Sequence, residues 1–226
     1  MTSHIRCLSL LILMACCAPT FFGISIDYIV NMRKHKQKSS TNRLILIIFV
    51  SEICLLFFIY LLMPNLFKIS SHITWWWIPI SIGLAPINIM LEIVEGYIAQ
   101  TAKGNVPSRL SFNSKATDGG ILGIIVFAGI AITEEFIFRL TWIGILSHVF
   151  GLAAVLTIAI SAVVYALNHI YYGTNTVLQK LISGTVYSLL FVLSNGMILA
   201  PVICHVTQNL IVVTMGEVRS GKLSEK

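Results

Sequence analysis

Charge is what this sequence has least of. Only 11% of its 226 residues are Asp, Glu, Lys or Arg, against about 25% in a soluble domain. With 57% hydrophobic residues, it cannot hide its apolar groups in one water-soluble core, and it reads as an integral membrane protein. Five cysteines (Cys7, Cys16, Cys17, Cys54 and Cys204) all lie in apolar runs without CxxC spacing, so they read as small buried hydrophobes and neither disulfides nor metal ligands. No HExxH zinc motif occurs, and Ser161, Ser183, Ser188 and Ser194 lack the GxSxG context of a serine nucleophile. No internal repeat, low-complexity tract or long linker is visible, which argues for a single integral membrane domain over 1–226. The missing repeat also counts against a transporter of the inverted-repeat kind.

The net charge of +6 does not form a nucleic-acid footprint, because the basic residues cluster in short segments between apolar runs. The run from Arg33 to Arg43 and the polar segment 99–118 read as cytoplasmic loops, and the triplet Trp75-Trp76-Trp77 as an interfacial belt. The expected architecture is all-α, a polytopic transmembrane helix bundle of seven or eight spans. Apolar runs cover about 7–30, 44–63, 75–98, 120–149, 152–172, 176–194 and 197–215. The even count is kept open because the long 119–150 segment could divide. The bilayer is the expected partner, in the cell membrane, and the oligomeric state is open.

Against this background, Glu134-Glu135-Phe136-Ile137-Phe138-Arg139 stands out. Residues 120–132 before it carry no charge, and residues 140–164 after it have only His148 as a titratable group. Ionisable residues at membrane depth are expensive, face the bundle interior and mark function. Glu135 and Arg139 are spaced i, i+4 and can pair on one helix face, whereas Glu134 points about 100° away, left free to exchange protons. An ion pair that merely locks two helices needs one Glu; here there are two.

Few other strongly polar groups interrupt the second half. His169 ends Tyr165-Ala166-Leu167-Asn168-His169, and His205 and Asn209 are spaced i, i+4 within HVTQN. In a straight hairpin about Gly151, Glu134 and His169 lie equally far from the turn, and His205 is near the middle of its own helix. Glu134, His169, His205 and Asn209 are therefore expected to share one pocket. A carboxylate and an imidazole can deprotonate a water, and a second imidazole with an amide can stabilise the oxyanion that forms. Two His and one Glu would also suit zinc, from three separate helices. Glu52, Glu92 and Glu95 read as an interior hydrogen-bonded acid and two acids snorkelling to the interface.

EEFIFR (134–139), YALNH (165–169) and HVTQN (205–209) resemble the motifs EExxxR, FxxxH and HxxxN of the CPBP intramembrane proteases, the CAAX proteases and bacteriocin-processing enzymes also called the Abi family. All three occur in order, about 35 residues apart, and the resemblance covers 119–215, the catalytic core helices. It implies a metal-independent glutamate peptidase with no cofactor and with its site inside the bundle, opening to the cytoplasmic side. In this reading Glu134 and His169 activate water, His205 and Asn209 form the oxyanion hole, and Glu135 and Arg139 support the site. The short length resembles the small bacterial type, which implies a peptide or small-protein substrate such as a bacteriocin or pheromone precursor, or CAAX-like processing. The alternatives are a non-catalytic immunity or scaffold protein and a zinc-dependent membrane protease. The second motif departs from the family pattern: Tyr165 stands where Phe is usual.

Overall fold

The computed structural model describes residues 3–33, 41–68, 74–104 and 120–219. Among them there is no strand. Eight α-helices follow in order: α1 (Ser3–Ala15), α2 (Pro19–Arg33), α3 (Thr41–Leu62), α4 (Trp77–Ala102), α5 (Gly120–Glu135), α6 (Ala154–Asn168), α7 (Thr174–Leu193) and α8 (Leu199–Arg219). Most of the basic 33–43 run, the 105–119 part of the second polar loop and the end of the tail lie outside the described residues.

Four helical stretches are long and apolar enough to cross a membrane, or five if α1 and α2 form one bent span; α6 and the apolar part of α8 are shorter. The burial pattern is that of a membrane bundle. Ile121 is 78% and Val155 77% exposed, whereas Glu52, Asn88, Glu134, Glu135, Arg139 and Gln208 are all buried. Apolar side chains outside and polar ones inside suit a hydrocarbon solvent, where polar groups must find partners within the protein.

Two features depart from the sequence expectation. The first span, expected over 7–30, breaks between α1 and α2 with a 55° bend. Pro19 has no N–H to continue the helix. The groups freed at the break are taken up by later helices: Trp142 Nε1 donates to the Cys16 carbonyl at 3.3 Å, and the Thr20 N–H donates to Asn168 Oδ1 at 3.1 Å. Asn168 also donates from Nδ2 to Thr20 Oγ1 at 2.8 Å, so the residue before His169 is pinned to the start of α2. Second, α5 does not run on as an α-helix after Glu135. It widens into π-helical segments over Phe136–Ile143 and Ile145–Val149. Such i→i+5 turns are rare and tend to occur at functional sites.

The helices that matter most for the site are α6 and α7, an antiparallel pair joined by a short turn at Ile170–Gly173. Their approach depends on Gly184. A Cβ there would lie 2.8 Å from the Tyr165 ring and 3.2 Å from both the Ala162 Cα and carbonyl. Backbone cannot move aside as a flexible side chain can, so Gly184→Ala is expected to destabilise by about 1–3 kcal/mol. Thermal unfolding in detergent checks this. Gly83→Ala is the control, because a Cβ at Gly83 meets nothing within 4 Å and no loss is expected.

Candidate active site

The end of α5 supplies the two carboxylates, both buried. Glu134 faces two imidazoles. Its Oε1 lies 3.6 Å from His169 Nε2, and its Oε2 lies 3.9 Å from His205 Nε2. The hairpin expectation thus holds for His169, and α8 brings His205 to the same place. Neither distance is a direct hydrogen bond.

Each imidazole is oriented through its other nitrogen. His169 caps α6, and its Nδ1 lies 2.9 Å from the Tyr165 carbonyl. A carbonyl only accepts, so Nδ1 carries hydrogen; in the neutral ring, Nε2 is then an acceptor facing Glu134. His205 Nδ1 sits 2.8 Å from Glu135 Oε1. Glu135 therefore has two partners: Arg139 Nε is 3.2 Å from its Oε2, an ion pair without hydrogen-bond alignment. Spacing along the chain shows the Arg139 partnership; nothing in the sequence shows the His205 one, because 70 positions separate the two residues.

Arg139 is fully buried. It donates from Nη2 to the Gly184 carbonyl at 3.1 Å, and its guanidinium carbon lies 4.4 Å above the Tyr165 ring and 5.2 Å from that of Tyr187. Two aromatic faces and a carboxylate thus replace water around the cation. Tyr187 in turn stacks on His205 at 4.6 Å and 22°. Its hydroxyl donates to Gln208 Oε1 at 2.5 Å, and Asn88 of α4 donates to the same oxygen at 2.6 Å. Tyr187, Gln208 and Asn88 form a supporting network that the sequence does not reveal: Tyr187 and Asn88 belong to no motif, and Gln208 occupies an unspecified position of HVTQN.

Asn209 is less engaged. It is half-buried one turn beyond His205, and among the described residues its side chain makes no hydrogen bond. Among the described residues, none of Ser161, Ser183, Ser188 and Ser194 hydrogen-bonds to an imidazole. Ser161 and Ser194 donate to main-chain carbonyls, Ser183 to Glu92, and the Ser188 hydroxyl has no partner among the described residues. Glu92 pairs with Lys180 of α7 at 3.2 Å. Among the described residues, no group of three or more His, Cys, Asp or Glu is disposed to hold a metal ion.

Residues 118–211 match the family model for type II CAAX prenyl endopeptidase Rce1-like proteins. This segment is similar to that family. No curated protein and no solved structure matches the chain. The Rce1-like segment runs from just before α5 into α8 and holds Glu134, Glu135, Arg139, His169, His205 and Asn209. It agrees with the family that the three motifs resemble, and it implies a protease. Together with the apolar helices, it makes this a multi-pass membrane protein.

The Tyr165 substitution in the Rce1-like segment has a structural outcome. Its ring sits among Phe138, His169, Tyr187 and His205, but its buried hydroxyl has no partner among the described residues. Tyr165→Phe keeps the ring and removes the unpaired group. It should stabilise the protein by about 1 kcal/mol, measured as a raised unfolding midpoint.

Proposed function

We propose that the chain is an intramembrane endopeptidase that hydrolyses a peptide bond with a water activated by Glu134 and His169. The observation that carries this reading is the pair of oriented imidazoles around one buried carboxylate, 3.6 and 3.9 Å from its two oxygens. His169 Nε2 and Glu134 Oε1 both accept, so a water between them donates to both and turns its lone pair outward. Glu134 takes one proton as the water oxygen bonds to the substrate carbonyl carbon. The carbonyl oxygen becomes an oxyanion. His205, protonated at both nitrogens, donates to it from Nε2 while Glu135 balances the ring's charge at Nδ1. Asn209, with its amide unengaged among the described residues, adds the second donor. When the C–N bond breaks, Glu134 returns its proton to the leaving amine, and an acid and an amine are released.

This division gives each glutamate one imidazole. Glu134 works with His169 on the water, and Glu135 holds His205, with Arg139 as counter-charge. The catalytic core is the 119–215 segment. The membrane count that fits is seven crossings, with α1 and α2 as one broken span and each later helix as a span. The site opens to the cytoplasmic side of the cell membrane. The substrate is a small peptide or membrane-associated protein, such as a bacteriocin or pheromone precursor or a CAAX-like tail.

Glu134→Gln keeps the shape and removes the base. In proteoliposomes it should lower cleavage by about 10²–10⁴-fold, the usual contribution of such a group, and His169→Ala should do likewise. Both variants should still fold, as judged by unaltered chromatographic behaviour. Equal phenotypes of wild type and Glu134→Gln would indicate a binding or immunity role. Exhaustive chelation is expected to leave cleavage intact; loss that zinc restores would replace this mechanism with a metal-dependent one.

A further inference from the structure

Glu52 of α3 is a buried acid that the mechanism above does not use, and it lies outside the Rce1-like segment. We propose that Glu52 is a positioning residue of the site, a neutral carboxylic acid that holds Thr133 and the turn presenting Glu134.

The hydrogen inventory supports this. Glu52 Oε2 lies 2.5 Å from Thr133 Oγ1, whose hydroxyl is also 3.0 Å from the Ile130 carbonyl and 3.3 Å from the Gly129 carbonyl. Thr133 has one hydrogen. If it donates back to its own helix, as threonines in helices commonly do, the hydrogen between the two side chains must come from Glu52. The other carboxyl oxygen, Glu52 Oε1, is buried without a hydrogen-bond partner among the described residues. An ionised carboxylate there would have one oxygen bare in an apolar bundle and, among the described residues, no cation bonded to it, whereas a neutral acid leaves only a carbonyl oxygen unpaired.

The placement connects this acid to the site. Thr133 is the residue before Glu134, in the last α-helical turn before the π-helical segment. One turn earlier, α3 comes so close that a Cβ on Gly129 would lie 2.6 Å from the Phe49 ring. The α3–α5 contact is therefore tight where Glu52 meets Thr133. The titratable groups acting electrostatically on Glu52 among the described residues are Glu134 of α5 and Tyr172 of the turn after α6. Losing the Glu52 proton would add a further negative charge near Glu134, and among the described residues no Lys or Arg pairs with Glu52.

The catalytic consequence rests on the peptidase reading; the protonation state does not. Infrared spectroscopy of the full chain in lipid vesicles tests the state directly. A protonated-carboxyl C=O band should be present at neutral pH, lost in Glu52→Gln and kept in Glu134→Gln. A spectrum unchanged by Glu52→Gln overturns the proposal. Cleavage of an internally quenched, farnesylated CAAX reporter peptide tests the consequence. Glu52→Gln, a neutral isostere, should retain neutral-pH activity and keep it further into the alkaline range, where wild type loses the Glu52 proton. Glu52→Ala should lose about tenfold at neutral pH, the scale of a buried hydrogen bond. An alkaline limb superimposable on wild type, or loss of neutral-pH activity in a folded Glu52→Gln, also overturns it. If wild type cuts no reporter while Glu52→Gln still abolishes the band, the peptidase reading fails and the neutral acid stands.

Discussion

The Glu135–Arg139 pair is the interaction on which the site is built. A guanidinium and a carboxylate, both fully buried, face each other at 3.2 Å inside an apolar bundle. Neither could remain there alone, since removing one partner would strand a charge at a cost of about 3–5 kcal/mol. The surroundings are arranged around that need. Tyr165 and Tyr187 cover the cation, the Gly184 carbonyl accepts from it, and His205 completes the carboxylate. The residues neutralising Arg139 are therefore those that set the position of the His205 imidazole.

This coupling explains why α6, α7 and α8 converge on one point. Tyr165 belongs to α6, Gly184 and Tyr187 to α7, and His205 to α8, and each touches the same cation or its carboxylate. Gly184 allows α7 to approach closely enough for its carbonyl to reach Arg139. The π-helical turns beginning at Phe136 follow directly on the two glutamates. The first half of the chain is drawn in by smaller contacts: Asn88 to Gln208, Thr20 to Asn168, and Glu52 to Thr133. Each joins an element without a motif to a residue within or beside one.

Much of the site was legible because membrane depth makes polar residues conspicuous. Glu134, Glu135, Arg139, His169 and His205 stand out in otherwise apolar runs, and the hairpin arithmetic about Gly151 correctly brings Glu134 and His169 together. The Glu135–Arg139 pairing follows from i, i+4 spacing alone. Less visible were contacts made by residues of ordinary composition. Asn88, Tyr187 and Gln208 carry no distinctive spacing, and Glu92 turns toward Lys180 on a helix 88 positions away.

The sequence by itself determined that the chain is a membrane helix bundle, where its apolar segments lie, and which few polar residues must face inward. It could do so because hydrocarbon admits only self-satisfied helices and because burying charge there is costly. Tertiary structure decided which partner each acid takes: His169 and His205 for Glu134, His205 for Glu135, and Thr133 for Glu52. It also decided the break at Pro19 and the π-helical turns after Glu135. Those choices depend on the packing of helices far apart in sequence, where a fraction of an ångström separates a hydrogen bond from an unpaired group, and local periodicity carries no record of that spacing.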